Sequence, residues 1–291
     1  MVSQKKTKKR KTLRNKSTCS PINKKNTFSC FTKSALIKII DSWNKHNPEQ
    51  PIKYNTNSTV RILWNKLDKK FKDRCNNEAC WIKQPEVKSL KDEEISDTFR
   101  PKMPEKWKKN KNEWLTTIDI QNVLKQYQKH HRDFIFIGAV PIDFDKKVGF
   151  GQCVINEICN INLEKIYKKG KRKLGFVFNL DPHDKPGSHW VALYCDLNIE
   201  KIMFFDSYGS NPPNEVMKLM IRLKEQSKNI GKDMELIVNK TRHQYKNSEC
   251  GVYCIYFITK LVENNDFNAI LNNKIIDEKM EKHRKYYFVK I

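Results

Sequence analysis

The sequence predicts an α+β protein, a central mixed β-sheet flanked by helices, preceded by a small helical N-terminal module. Three observations carry this. Short apolar runs rich in β-branched and aromatic residues recur between 133 and 239. Helix-patterned segments stand between and after the last of them. Ahead of residue 84 the apolar residues follow helical spacing instead.

Residues 1–26 read as a basic, poorly ordered tail, because KKTKKRKTLRNK holds too little apolar surface to offset the entropy of ordering it. Such a run suits a nuclear address, a nucleic-acid tether or a plain solubilising tail. Residues 27–84 form the helical module. In TKSALIKIIDSW the residues Leu36, Ile37, Ile40 and Trp43 share a face, and Asn47, Pro48 and Pro51 end the helix. STVRILWNKLDKKF carries Val60, Leu63, Trp64, Leu67 and Phe71 on a second stripe, with Ser58 or Thr59 as its cap. Trp43 and Trp64 belong to the core of this module rather than to a ligand site. Residues 85–112, polar and carrying Pro85, Pro101 and Pro104, read as a linker.

The main domain runs from 113 to 291 and opens with a helix over 117–130. Thr116, Thr117 or Asp119 caps it, and Ile120, Val123, Leu124 and Tyr127 form its buried stripe. Strands are predicted at 133–140, 173–180, 189–195, 201–206 and 234–239. NEVMKLMIRLKEQ is a helix opened by Pro212, Pro213 and Asn214. GVYCIYFITKLVE, apolar on nearly every side, is a buried helix.

Lys plus Arg number 57 against 33 Asp plus Glu, a net charge of +24. That balance favours acidic partners and leaves nucleic acid open as one of them. It says nothing about catalysis. No apolar stretch is long enough to span a bilayer, and the basic N-terminus lacks the apolar core of a signal peptide. Nine cysteines, an odd number, then point to a reducing compartment with free thiols. The pairs Cys75/Cys80 and Cys153/Cys159 are spaced too widely for a zinc knuckle.

Chemistry concentrates in three segments. PGSHWVALYCDLN places His189 and Trp190 at the start of a strand, KIMFFDSYGS places Asp206 at the end of the next, and HQYKNSECGVYCIYF places Cys250 at the head of the buried helix. A thiol attacks as thiolate, and the unpaired N–H groups of a helix N-terminus favour that negative charge. His189 can take the proton, and Asp206 on the adjacent antiparallel strand can orient the imidazole. The Cys250 backbone N–H and the Gln244 side chain are natural donors to an oxyanion. Gly251, with no Cβ, leaves room for substrate. Each residue also has a plainer reading: Cys250 and Cys254 as core, and Asp206 before Ser-Tyr-Gly as a turn former. The chemistry calls for no cofactor or metal.

The set GSHW, FFDSYG and QYKNSECGVYC resembles the signature of the ubiquitin-like-protein (SUMO) protease superfamily, which includes adenovirus protease and the polyprotein proteases of large DNA viruses. In that family His-Trp is followed 17 residues on by Asp, and Gln stands six before Cys; here Asp206 follows His189 by 17 and Gln244 precedes Cys250 by six. EWLTTIDIQNVLKQY resembles the opening of these peptidases, so the resemblance covers about 110–265. It implies Cys250 as nucleophile, His189 as base, Asp206 as its orienter, Gln244 in the oxyanion hole, and Trp190 closing a narrow tunnel that admits Gly-Gly. Cys195, His183 and His243 match nothing catalytic.

FNLDPHDKPGSHWVALYCDL is similar to proteases of giant and asfar-like viruses, which implies a Gly-Gly-X polyprotein substrate, with virion and host cytoplasm as the setting. A ubiquitin-like protein is the alternative substrate and the nucleus the alternative setting. The family's adenovirus member uses a DNA cofactor, with which the basic charge is compatible. A basic nucleic-acid or scaffold-binding protein on the same fold is the reading from a different class.

Overall fold

The computed structural model describes residues 19–21, 28–264 and 267–289. The basic run of the N-terminal tail lies outside them. The chain forms two compact units, Met1–Met103 with Tyr286–Ile291, and Pro104–Lys285.

The first unit is helical. α1 (Lys33–His46) begins where the Thr32 side chain accepts from the Ala35 N–H, and α2 (Val60–Phe71) where Thr59 accepts from Ile62. On α1 the buried stripe is Leu36, Ile39, Ile40 and Trp43, so Ile39 takes the inner place expected of Ile37. That set has strict i, i+3, i+4, i+7 spacing, whereas Ile37 falls about 100° round the helix from Leu36. Leu63, Leu67 and Phe71 answer from α2, and Val60 and Trp64 pack at the flank. Trp43 meets Phe71 edge-on at 5.2 Å, and Phe71 lies 5.3 Å from Trp81.

Residues 85–112 are not an open linker. Short helices form at Pro85–Lys88 and Glu93–Ser96, and Val87, Ile95 and Phe99 join the first unit's core. These apolar residues are too scattered among charges to register as a periodicity. The chain's end also departs from the expected boundary: Val289 pairs with Lys102, and the Met103 N–H donates to the Val289 carbonyl.

Six of the nine cysteines pair as Cys19–Cys30, Cys75–Cys80 and Cys153–Cys159, leaving Cys195, Cys250 and Cys254 as buried free thiols. The expectation of free thiols throughout therefore does not hold. Local turns bring the paired Cα atoms to 5.1, 5.5 and 6.3 Å, within bridging range, a closeness that spacing alone does not reveal.

The second unit is built on five strands in the order β1-β2-β3-β4-β5: β1 (Phe134–Pro141), β2 (Lys173–Asn179), β3 (Trp190–Asp196), β4 (Lys201–Phe205) and β5 (Glu235–Val238). The outer pairs are parallel and the inner two antiparallel, which makes the sheet mixed. β2 and β3 are buried almost throughout, because helices cover both faces. Leu174, Phe176, Phe178, Val191, Leu193, Ile202 and Phe204 pack with Val216, Leu219, Met220 and Leu223 of α4 (Asn214–Lys228). The alternate residues face α3 (Thr117–His130) and α5 (Cys250–Asn264). Phe205 stacks on Phe257 at 4.8 Å, and Gly175 lets Phe134 and Ile258 come within ordinary contact of the sheet. α3 starts with a full capping box between Thr116 and Asp119. α6 (Asp277–Tyr287) closes the chain's helical run. No helix among the described residues is long and apolar enough to cross a membrane.

Candidate active site

The antiparallel pairing of β3 with β4 brings the start of one strand beside the end of the other; Ala192 faces Phe205 across the ladder. His189, just before β3, and Asp206, just after β4, are thereby neighbours, and His189 Nε2 lies 2.7 Å from Asp206 Oδ1. Both are buried. Asp206 also performs the turn role: its Oδ1 accepts from the Tyr208 N–H and its carbonyl from Gly209. The ring of Tyr208 stacks on His189 at 4.6 Å and fixes its plane. Asp206 O accepts further from Asn239 Nδ2 at 2.8 Å.

With Nε2 engaged, Nδ1 is the ring nitrogen left for Cys250, the first residue of α5. Burial works against a charged His189, but the Asp206 and Cys250 hydrogen bonds and charges outweigh it and raise its pKa from 6.5 to about 9. Burial likewise pushes Asp206 up, and the His189 hydrogen bond and charge outweigh it, holding the carboxyl below its ordinary value. The imidazolium–carboxylate pair is the stable form of this dyad at neutral pH.

Gln244 is fully buried and held at both ends. Its Oε1 accepts from Ser207 Oγ at 2.7 Å and its Nε2 donates to Lys246 O at 2.6 Å, leaving the second amide proton uncommitted among the bonds of the described residues. The loop behind it hangs from Asp277, whose Oδ2 accepts from the Tyr245 and Lys246 N–H groups at 2.9 and 3.0 Å. Ser207 and Asp277 are supports of the site that the sequence pattern does not mark out as functional. The SYG turn after Asp206 is the nearest to a signal for the first, and nothing local marks the second.

Trp190 is buried, and its Nε1 donates to Leu115 O at 3.0 Å. It lines a groove with Trp114, Val140, Pro141, Asn179 and Gly187. Trp114, half-exposed, is a wall residue that the EWL segment contained without being assigned a part. Gly187 sits at φ +103°, and a Cβ there would meet Asn179 Nδ2 at 2.7 Å, so only glycine fits this turn into His189. Gly251 plays a different part from the one expected: it faces Leu115, whose Cβ a methyl would approach to 3.0 Å, rather than open space for substrate.

The remaining thiols and imidazoles lie apart from this chemistry. Burial pushes the Cys195 and Cys254 thiols up. His243 is buried against Phe205, its Nδ1 accepting from the Ile275 N–H, and burial lowers its pKa. His183 pairs with Asp143 at 2.7 Å on the groove rim. Among the described residues no group of three or more His, Cys, Asp or Glu could hold a metal.

A thiol, an imidazole and a carboxylate brought together on a mixed sheet between helices are the groups a cysteine peptidase requires. The chain belongs to the Ulp1 protease family, whose C-terminal catalytic domain matches residues 175–291. A chain of Acanthamoeba polyphaga mimivirus named as a thiol protease is 31% identical over 282 residues, covering 91% of this chain and 90% of the relative. Two African swine fever virus chains, named a cysteine protease and a SUMO-1 cysteine protease, are each 27% identical over 241 residues, 76% of this chain and 86% of theirs. The crystal structure of the African swine fever virus protease superposes with a TM-score of 0.66 at 24% identity, over 94% of this chain and 96% of that one.

Proposed function

We propose that this peptidase cleaves after Gly-Gly in viral structural polyproteins during virion maturation, acting in the virion and at assembly sites in the host cytoplasm. Cys250 is the nucleophile. His189 takes the thiol proton on Nδ1, and Asp206 holds the ring through Nε2. Attack on the scissile carbonyl forms a C–S bond and places negative charge on oxygen, which the Cys250 backbone N–H and the free Gln244 proton stabilise. Collapse breaks the C–N bond as His189 protonates the leaving amine. Water, deprotonated by His189, then hydrolyses the thioester.

The observation that carries the substrate reading is the groove between Trp190 and Trp114. A buried indole tied to Leu115 O gives the groove a held wall, which favours residues without a Cβ beside it. The viral relatives, one matched over nine-tenths of both chains, support a viral setting. The name SUMO-1 cysteine protease carried by three African swine fever virus relatives favours a second reading, release of a ubiquitin-like protein. The basic charge keeps nucleic acid as a further candidate partner.

One experiment separates these readings: wild type and Cys250→Ala against Gly-Gly-X peptides and against SUMO- and ubiquitin-like fusions. Cleavage of the peptides by wild type alone is the expected result. Cleavage confined to the folded fusions would overturn the polyprotein reading, and an undiminished Cys250→Ala variant would remove that thiol from the mechanism.

A further inference from the structure

Behind the site stands a buried arginine that touches none of the reacting groups. Arg284, on α6, is 5% exposed, and its guanidinium lies 4.5 Å over the ring of Trp107. Its Nε donates to the carboxylate of Glu249, 2.9 and 2.7 Å from the two oxygens. Its Nη2 donates to Ser248 O at 3.0 Å and its Nη1 to Glu113 O at 2.5 Å. All three nitrogens are thus engaged in one plane, a pattern only the rigid guanidinium fork can make.

The partners are two peptide carbonyls and one side chain, each one or two residues from a working part. Glu249 precedes Cys250, and its own carbonyl accepts the Tyr253 N–H, the first bond of the α5 ladder. Ser248 O belongs to the peptide just ahead. Glu113 O belongs to the peptide leading into Trp114, and two residues on Leu115 O receives the Trp190 indole. Arg284 therefore joins the turn that carries the nucleophile and its backbone N–H to the wall of the groove. A fully buried carboxylate facing a buried guanidinium is a poor way to gain stability, since apolar residues of similar size often do as well. What the ion pair supplies is a fixed distance between two loops.

We infer that Arg284 is a positioning residue, setting the Cys250 N–H and the groove wall in register for oxyanion stabilisation. The inference rests on Cys250 being the nucleophile. It is independent of the Gly-Gly substrate.

The test compares two rates on the full chain. Acylation by p-nitrophenyl acetate needs the thiolate and its oxyanion donors but no peptide recognition. Alkylation by iodoacetamide across pH needs only the thiolate. The variants are Arg284→Lys, which keeps a charge for Glu249 but lacks the fork, and the double variant Glu249→Gln with Arg284→Met, which strands no charge. In both, acylation should fall at least about tenfold while the alkylation pH profile stays that of wild type, because the His189–Asp206 pair is untouched. Acylation at the wild-type rate in the folded double variant would overturn the inference. So would a parallel fall of both rates, or failure of both variants to fold, either of which makes Arg284 a stability residue. A Cys250→Ala protein that still acylates would remove the nucleophile assignment and the inference with it. A wild type that acylates but leaves Gly-Gly-X peptides whole touches the substrate reading alone.

Discussion

His189 Nε2 and Asp206 Oδ1 stand 2.7 Å apart because two antiparallel strands end where they do: His189 enters β3 as β4 delivers Asp206 beside it. The pair is locked from a third side by Tyr208, which stacks on the ring and donates its N–H to the same carboxylate oxygen.

This arrangement sets a pH dependence. The His189 pKa is raised to about 9, so the imidazolium survives well above the ordinary histidine range. In the thiolate–imidazolium mechanism the basic limb of kcat/KM should titrate near that value. Asp206→Asn should move the limb toward neutrality, since the carboxylate hydrogen bond is the largest support of the charged ring. A limb that stays in place in Asp206→Asn would break the assignment. Stability follows the same groups. With its folded pKa raised, His189 contributes fully below the unfolded value of 6.5, and the contribution fades as pH rises through about 9. With its folded pKa lowered, Asp206 contributes above the unfolded value of 3.8 and loses that contribution as pH falls through the folded one.

Gln244 offers a cleaner kinetic separation. Its amide is pinned by Ser207 and Lys246, so its orientation is set before substrate arrives. Gln244→Ala should lower kcat by about 10²–10³-fold with little change in KM, the mark of a donor used in the transition state. Ser207→Ala, which frees the amide to rotate, should reproduce a smaller part of that loss. Steady-state kinetics on one peptide, in which KM and not kcat moved, would place Gln244 in binding instead.

How far the sequence carries this far depends on what kind of signal each residue leaves. His189, Asp206, Gln244 and Cys250 are chemically distinct types at fixed separations; three of them flank or open an element whose hydrophobic pattern is plain, and Gln244 stands six residues before the last. They could be named from the chain alone. Asp277 and Arg284 could not. They sit in DEKMEKHRKYY, whose charges give no sign of burial, and their partners, backbone groups together with the Glu249 carboxylate and the Tyr253 hydroxyl, are distant in sequence. Residues 85–112 conceal their order for a related reason: Val87, Ile95 and Phe99 are single anchors in charged turns, with no repeat to betray them. Pairing of cysteines depends on Cα separations, which only the fold supplies.

The cysteine pairing makes a countable prediction. Purified without reductant and unfolded in the presence of an alkylating agent, the chain should take up three labels, on Cys195, Cys250 and Cys254. After reduction it should take up nine. Peptide mapping identifies the sites. Nine labels without reduction would return the chain to the free-thiol state. In the oxidised protein, reduction should also lower the melting temperature, since closing even a short loop is worth roughly 2–3 kcal/mol in the chain-entropy account. In the native fold only Cys250 should react quickly: all three thiols are buried, but Cys250 has the His189 imidazole beside it, whereas burial pushes Cys195 and Cys254 up.

Gly251→Ala sets two effects of opposite sign against each other. Alanine favours a helix over glycine by about 1 kcal/mol, and position 251 is the second residue of α5. Against that, the new Cβ would stand 3.0 Å from Leu115 Cβ and 3.2 Å from its Cδ1. A Cβ is fixed by its own backbone, so Leu115 cannot rotate it away. Nor can the Leu115 backbone retreat freely, because its carbonyl holds the Trp190 indole at 3.0 Å. Overpacking of this kind costs about 1–3 kcal/mol, so the clash outweighs the propensity. The variant should therefore melt several degrees lower and lose activity beyond what its folded fraction explains, as the turn bearing Cys250 shifts against the groove wall. Gly251→Ala together with Leu115→Ala should recover part of both. A single variant as stable and as active as wild type would mean that α5 does not approach Leu115 this closely.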